Sequence, residues 1–240
     1  RARGVTVVRA ARRGPTRVDT QRPETFDALR GCSVVLDLSD ATSAPPDQLA
    51  AWCAREGVTF LEATSDAPTM ERLLAARFEG PELVVLGAGV FTGVSNLLGA
   101  LVARAVPDAR SLRWAVASSP YSGAGEGTIA LMVDSIGQPV VRYEDGARRE
   151  APLARGPAAR FAHGVYPTVR ARLAEASMLH HSTKVRSVEA LFAPRPGFLA
   201  AAFAAMPSMY GCPDDATEAR RRSTRSRSSG YRTAAPTSTT

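Results

Sequence analysis

Lysine is almost absent from this 240-residue chain, and arginine carries nearly all of its positive charge. Lys184 is the sole lysine, which indicates a compositional bias toward arginine more than a selected basic surface. The net charge is +7; six arginines against three acidic residues at 213–240 supply +3 of it and leave +4 for residues 1–212. The body of the chain is therefore only mildly basic, and we expect no specific nucleic-acid partner.

Cysteine is scarce as well. Cys32, Cys53 and Cys212 form an odd, scattered set without a C-x-x-C pair. Such a set argues against a disulfide framework and against a zinc site. The three histidines have no cysteine or carboxylate at ligand spacing, so we predict no metal centre. A reducing compartment fits this cysteine usage best, and we expect a cytoplasmic protein.

Long apolar runs are missing too. The longest run, Phe198 to Met206, starts directly after Pro196-Gly197, and it is far shorter than the roughly 20 residues of a membrane-spanning helix. The arginines near the N-terminus are not followed by an apolar core, so the signal-peptide pattern does not occur. We therefore expect no membrane partner.

Residues 1–108 alternate between short aliphatic runs and helical patterns, which is typical of βαβ units and a parallel sheet. We predict an α/β fold that begins with an incomplete Rossmann-type parallel sheet, whose aliphatic strands are buried on both faces. The predicted strands are Gly4 to Ala10, Gly31 to Leu38, Val58 to Leu61 and Leu83 to Leu86. The predicted helices are Pro23 to Leu29, Asp47 to Gly57, Pro68 to Phe78 and one that begins at Ser95.

The pattern changes after Pro107, and residues 109–210 predict an α+β domain with a mostly antiparallel sheet for substrate binding or dimerisation. Asp145-Gly146 predicts a hairpin turn after a strand at Pro139 to Tyr143. Further expected elements are strands at Ser111 to Ser118 and Thr128 to Ile136, a helix or strand each at Pro167 to Ala174 and Val185 to Leu191, and a helix at Phe198 to Met206.

Residues 211–240 are rich in arginine, serine and threonine and nearly devoid of apolar residues. Such a segment cannot bury enough surface to fold, so we predict a disordered tail. Its arginines can bind nucleic acid or an acidic membrane nonspecifically, but a solvated terminus without function is the simpler interpretation.

Gly87, Gly89 and Gly93 lie between a predicted strand and a predicted helix, where backbone N–H groups commonly meet anions. Their spacing is not that of a dinucleotide fingerprint, and three strand-helix units precede them. The next strand, LRWAVASS, also ends without the charged residue that would meet a ribose. We therefore place this turn on the substrate side of a cleft and not under a pyrophosphate.

A different cofactor arrangement follows if Gly4 to Ala10 is the second strand of a Rossmann sheet. Arg12 and Arg13 then lie where a ribose 2′-phosphate binds, and Asp19 ends the third strand near the adenine. The first strand and its glycine-rich turn would precede Arg1, so we expect an N-terminally truncated chain. For the two arginines alone, a solvated strand end is the simpler interpretation.

The order of the motifs VVLDLSDA, LAAWCAREGVTFLEATSD and VVLGAGVFTGVSNLL resembles the saccharopine dehydrogenase-like family. That family has a strand of the H-Y-x-D-x-x-G-E type, followed by a G-x-x-P-G-x-S/T-N-L-L turn and helix. The later segment GTIALMVDSIGQPVVRYEDGA is similar to its second domain, so the resemblance spans about Val5 to Pro207. In this chain Thr92 replaces the proline of the turn, and Ser65 replaces a glycine.

The resemblance implies hydride transfer between NADP, or NAD, and an imine, an amino-acid-like compound or a related small substrate. It implies that Ser39, Asp40 and Asp66 line the nicotinamide side and that Gly89 lies at the cofactor. Asp66 is also a weak candidate for a proton relay, although a helix cap explains it equally well.

For the substrate, the resemblance implies contacts from Phe91, Ser95 and Asn96, with capping of the helix as the alternative for the last two. Tyr121 and Glu126 are candidate contacts from the second domain. These expectations are compatible with a homodimer. The competing interpretation is a non-catalytic remnant that has lost cofactor binding together with the missing glycine-rich turn.

Overall fold

The computed structural model describes residues 4–80, 83–119, 135 and 138–209. Over these residues the chain is a mixed α/β protein with two small parallel sheets and one larger, mostly antiparallel sheet. Residues 120–134, which contain most of the predicted strand Thr128 to Ile136 as well as Tyr121 and Glu126, lie outside the described residues, and so does the tail at 211–240.

The first part of the chain alternates strands and helices as predicted. Its elements are β1 (Ala10–Ala11), β2 (Thr16–Arg17), a 3₁₀-helix (Pro23–Leu29), β3 (Val34–Asp37), α1 (Asp47–Arg55), β4 (Thr59–Glu62), α2 (Ala67–Ala75), β5 (Val84–Leu86) and α3 (Ser95–Ala105).

The second part supplies the larger sheet. Its elements are β6 (Ser111–Ser118), β7 (Val140–Glu144), β8 (Ala147–Ala151), β9 (Ala154–Phe161), β10 (Gly164–Arg170), α4 (Glu175–Thr183), β11 (Ser187–Pro194) and α5 (Leu199–Met209). Within the described ranges, none of the helices is long and apolar enough to cross a membrane.

Strands β3, β4 and β5 form a parallel sheet in that order, and the described residues cover only one of its faces. On the covered face Phe60 is fully buried and belongs to the same core as Leu49 and Trp52 of α1. On the other face Val34 and Leu36 of β3 are 52% and 50% exposed. The prediction of strands buried on both faces is therefore wrong for β3, because α1 and α2 pack against only one side of the sheet.

The predicted first strand, Gly4 to Ala10, is not formed as expected. Only Ala10 and Ala11 pair with a neighbour, the two-residue strand β2, and Val7 before them is 78% exposed. A strand needs a ladder partner, and residues 4–9 have none among the described strands. The alternating valines alone could not show this, because pairing depends on distant segments.

The larger sheet has the order β8-β7-β11-β10-β9, with β6 added in parallel to β11. The hairpin prediction is confirmed: β7 and β8 pair antiparallel around Asp145 and Gly146, whose φ angles are 50° and 85°. Two adjacent positive φ angles are what a tight two-residue hairpin turn requires, which explains the Asp-Gly pair.

Helix α4 joins the two parts of the chain. Residues 175–179 at its start are all buried, and the helix packs against α2, α3, β7 and β11. Gly99 of α3 makes this packing possible, because a Cβ atom there would lie 2.2 Å from a methyl carbon of Leu179. The Ser177 hydroxyl donates to Glu71 of α2 over 2.8 Å, and Arg148 of β8 reaches the same carboxylate at 3.0 Å.

Candidate functional site

A cavity of about 500 Å³ lies where the loops that follow β3 and β4 face the larger sheet. Its size is that of a small-molecule site. From the first part of the chain it is lined by Ala41, Thr42, Pro45, Asp47, residues 65–69, Arg72 and Phe91. From the second part it is lined by Trp114, Val116, Ser118, Ser135, Gln138, Leu153, Val169, residues 171–173, Glu175, Phe192 and Phe203.

Asp66 lies at this cavity as the N-cap of α2. Its Oδ2 accepts a hydrogen bond from the backbone N–H of Thr69 at 3.0 Å, and its own N–H donates to the Thr64 hydroxyl at 3.1 Å. The side chain is 8% exposed. The helix-cap interpretation of Asp66 is thus confirmed, and its role as a proton relay stays a prediction.

The glycine turn folds back on itself. Gly87 has a φ angle of 77°, and a Cβ atom there would lie 2.2 Å from the Thr92 carbonyl oxygen. A Cβ atom on Gly93 would lie 2.3 Å from the Gly87 carbonyl oxygen. These two glycines are therefore required by close approach of the turn to its own backbone, whereas Gly89 lies beside the carbonyl oxygen of Ala63.

The turn binds a carboxylate of its own chain. The Thr92 N–H donates to Glu175 Oε1 at 2.9 Å, and the Ser95 hydroxyl donates to the same oxygen at 3.3 Å. All three residues are buried. Ser95, predicted to contact substrate, is thus turned toward Glu175 of α4. Burial raises the pKa of Glu175 above its usual range.

Replacing Glu175 tests this contact. Glu175→Leu should lower the free energy of unfolding by about 2 kcal/mol, because it leaves a buried N–H and a buried hydroxyl without an acceptor. Glu175→Gln keeps an acceptor oxygen in place and should stay within about 1 kcal/mol of the wild type at neutral pH. Urea unfolding measures both, and equal losses in the two variants would show that the acceptor is unimportant.

Asn96 and Phe91 flank this contact. The Asn96 side-chain NH₂ donates to the Thr92 carbonyl oxygen and lies 3.4 Å from the sulfur of Met178. Its Oδ1 is buried and has no hydrogen-bond partner within the described ranges. Phe91 is 51% exposed and lines the cavity. Of the predicted substrate contacts that are described, only Phe91 thus lies on the cavity wall.

Two of the predicted cofactor residues, Ser39 and Asp40, are exposed on the surface of the first part. Ser39 and Asp40 follow β3 in an exposed loop. The Thr42 hydroxyl donates to Asp40 at 2.7 Å and holds the pKa of that carboxyl below its usual range. Asp40 thereby orders the loop that brings Thr42 to the cavity.

Arg12, Arg13 and Asp19 are near the N-terminus and do not line the cavity. The two arginines are exposed in a bend between β1 and β2. Asp19 accepts a hydrogen bond from the Gln21 N–H at 3.1 Å, just before the 3₁₀-helix. The structure thus brings Asp66, Gly89 and Phe91 close to the end of β4. Arg12, Arg13 and Asp19 lie apart from that end of the sheet.

Two buried carboxyl groups, Asp37 and Glu62, end the neighbouring strands β3 and β4 and were not predicted as site residues. Glu62 is 1% exposed, and burial raises its pKa to about 7. Its Oε1 accepts from the Thr64 N–H at 2.8 Å. The other oxygen of Glu62, like Oδ2 of Asp37, has no hydrogen-bond partner among the residues described. The sequence signal that could have identified each of them is a single acidic residue at the end of an otherwise apolar strand.

Comparison of the chain with models of known protein families gave no match, and a search of curated proteins gave none either.

Proposed function

We propose that this chain is an NAD(P)-dependent oxidoreductase of the saccharopine dehydrogenase-like type, which transfers hydride between a nicotinamide and an imine, amino-acid-like or related small substrate. The cavity carries the proposal. It opens beside the loops that follow β3 and β4, and in open α/β sheets ligands bind beyond the carboxyl ends of the parallel strands.

The parallel sheet supports a Rossmann-like interpretation of the first part. Strands β3, β4 and β5 are adjacent and in sequence order, with α1 and α2 as the connections between them. The open face carries aliphatic side chains such as Val34, Leu36 and Val85, which is the composition of a face that helices cover in a doubly wound sheet.

The chain's own residues would bind and orient the reactants. The nicotinamide supplies or accepts the hydride, and the protein's task is to position both partners and exclude water. Trp114, Val116 and Phe192 from the larger sheet give the cavity a water-excluding wall. Asp66 and Thr42 face them from the loops after β4 and β3 and supply polar groups on the opposite side.

A ligand-binding module without turnover is the second candidate. One observation favours it: the Thr92 amide and the Ser95 hydroxyl at the glycine turn are already bound to Glu175. These two donors of the turn are therefore not free to bind a phosphate.

Titration of NADPH and NADH, followed by nicotinamide fluorescence, separates the two candidates. The oxidoreductase proposal expects saturable binding, with NADPH weakened about tenfold in an Arg12→Ala, Arg13→Ala double variant and NADH unchanged, since a bound phosphate oxygen loses its charged partners. The matched control replaces Arg104 and Arg110, two exposed arginines at the end of α3 and after it.

Absence of a saturable signal for both nucleotides would reject the oxidoreductase proposal and leave the binding module. Equal weakening of NADPH and NADH in the double variant would reject the phosphate role of Arg12 and Arg13 while leaving cofactor binding intact.

A further inference from the structure

One positive charge on the cavity wall has no ion-pair partner among the described residues. Arg172, which follows β10, lines the cavity and donates from Nη1 to the side-chain oxygen of Gln138 at 2.8 Å. None of the ion pairs found among the described residues includes Arg172, and its buried Nε finds no acceptor there. An arginine that lines a cavity and has no ion-pair partner among the described residues is suited to bind an anionic ligand there.

The second arginine on the wall is different. Arg72 of α2 places Nε and Nη2 at 3.3 and 3.1 Å from the two carboxylate oxygens of Asp47. Its charge is therefore already matched by a fork of hydrogen bonds. Arg72 and Arg172 line the same cavity, and within the part of the chain that the structure describes Arg172 is the one of the two without an ion pair.

The geometry of the guanidinium selects the chemistry of that ligand. Nη1 donates to Gln138 and Nε is buried, which leaves Nη2 to donate to a ligand in the cavity. A charge-assisted hydrogen bond from Nη2 suits a carboxylate oxygen. Among the carboxyl groups on the wall, Asp47 is paired with Arg72 and burial raises the pKa of Glu175, so Asp66 is the one that disfavours a second negative charge on the ligand.

The other side chains of the cavity wall favour a ligand with a large apolar part. Trp114, Val116, Leu153, Val169 and Phe192 of the larger sheet and its connections line the cavity. A volume of about 500 Å³ exceeds what a carboxylate alone fills and is in the range of pockets for drug-sized molecules. Burying apolar surface against these side chains adds affinity in proportion to the area removed from water.

We propose that the cavity binds a monocarboxylate with a large apolar body, whose carboxylate pairs with Arg172 and whose body lies against Trp114, Val116 and Phe192. The assignment of this compound as the substrate rests on the proposed oxidoreductase function. Its binding does not, because none of the contacts involves a nucleotide.

Calorimetric titration of the chain with dodecanoate, without nucleotide, tests the proposal. We expect saturable binding of one dodecanoate, at least tenfold weaker in Arg172→Gln and unchanged in Arg104→Gln, the control that removes an equal charge from an exposed position outside the cavity wall. Arg172→Lys keeps the charge and should fall between the wild type and Arg172→Gln. Dodecanol, which lacks the carboxylate, should bind the wild type and Arg172→Gln alike.

Equal dodecanoate affinity in the wild type and Arg172→Gln would overturn the proposal, as would an equal loss in Arg104→Gln. Thermal unfolding of each variant shows whether it is folded. If Arg172→Gln is unfolded, the affinities of Arg172→Lys for dodecanoate and for dodecanol are compared instead: a loss for dodecanoate alone supports the proposal, and no loss overturns it. The NADPH titration is a separate readout. Dodecanoate binding without NADPH binding would reject the oxidoreductase function alone, and NADPH binding without dodecanoate binding would reject this proposal alone.

Discussion

Replacing Thr92 with proline is expected to lower the free energy of unfolding by about 4 kcal/mol, even though the change restores the pattern of the family that the chain resembles. Proline fixes φ near −65° and has no N–H, whereas Thr92 has a φ angle of 70° and donates its N–H to Glu175. The variant therefore loses a buried hydrogen bond and cannot adopt the backbone of the turn. Urea unfolding at neutral pH measures the loss.

Thr92→Ala is the control for this change. It keeps the N–H and loses only the hydroxyl, which lies 3.1 Å from the Thr64 carbonyl oxygen and 2.5 Å from the Phe91 carbonyl oxygen, so it should cost about 1 kcal/mol. A Thr92→Pro variant as stable as Thr92→Ala would mean that the turn takes a proline-compatible conformation without the Glu175 contact. That outcome would strengthen the resemblance and remove the structural account of the turn.

Stability should depend steeply on pH through Glu62. Its folded-state pKa of about 7 lies above the ordinary value of 4.5, so the folded chain holds the proton more tightly. Below pH 4.5 both states are protonated and the stabilisation is complete. Between pH 4.5 and 7 only the unfolded state ionises, and the free energy of unfolding falls by about 1.4 kcal/mol per pH unit, about 3 kcal/mol in all. Above pH 7 the dependence on Glu62 levels off.

Glu62→Gln isolates this contribution, because glutamine keeps the side-chain oxygen that accepts from the Thr64 N–H and does not titrate. The difference in stability between wild type and variant, measured by denaturant unfolding from pH 4.5 to pH 8, should shift by about 3 kcal/mol in favour of the variant. Asp37 and Asp47 are the charges that add to the effect of burial on Glu62. A difference that is constant with pH would show that Glu62 ionises normally in the folded chain.

Much of the element order was predictable from local patterns. The predicted strand Ser111 to Ser118 is β6 residue for residue, and the Asp-Gly pair fixed the β7-β8 hairpin. Asp66 carried the signal of a helix cap. These features depend on neighbours within a few positions in the chain, which is the range over which hydrophobic periodicity and turn chemistry operate.

The candidate site was less predictable, because its contacts join distant segments. Thr92 and Glu175 are 83 positions apart, and no local pattern indicated that the glycine turn binds a carboxylate. Arg172 gave no signal in a chain so rich in arginine. It lines the same cavity as Arg72, and it differs from Arg72 in having no ion pair among the described residues. The prediction that β3 is buried on both faces was wrong for the same reason, because the burial of a strand depends on which helices cover the sheet.

The central position of helix α4 has a consequence for the order in which the chain is made. On the ribosome the parallel sheet, the glycine turn and α3 emerge before residues 175–183, yet the buried partners of Thr92, Ser95 and Gly99 all lie on α4. The first half of the chain therefore stays incompletely packed until its second half is synthesised. Nascent chains that end before Glu175 should be sensitive to protease, and protection should arise only once α4 has emerged.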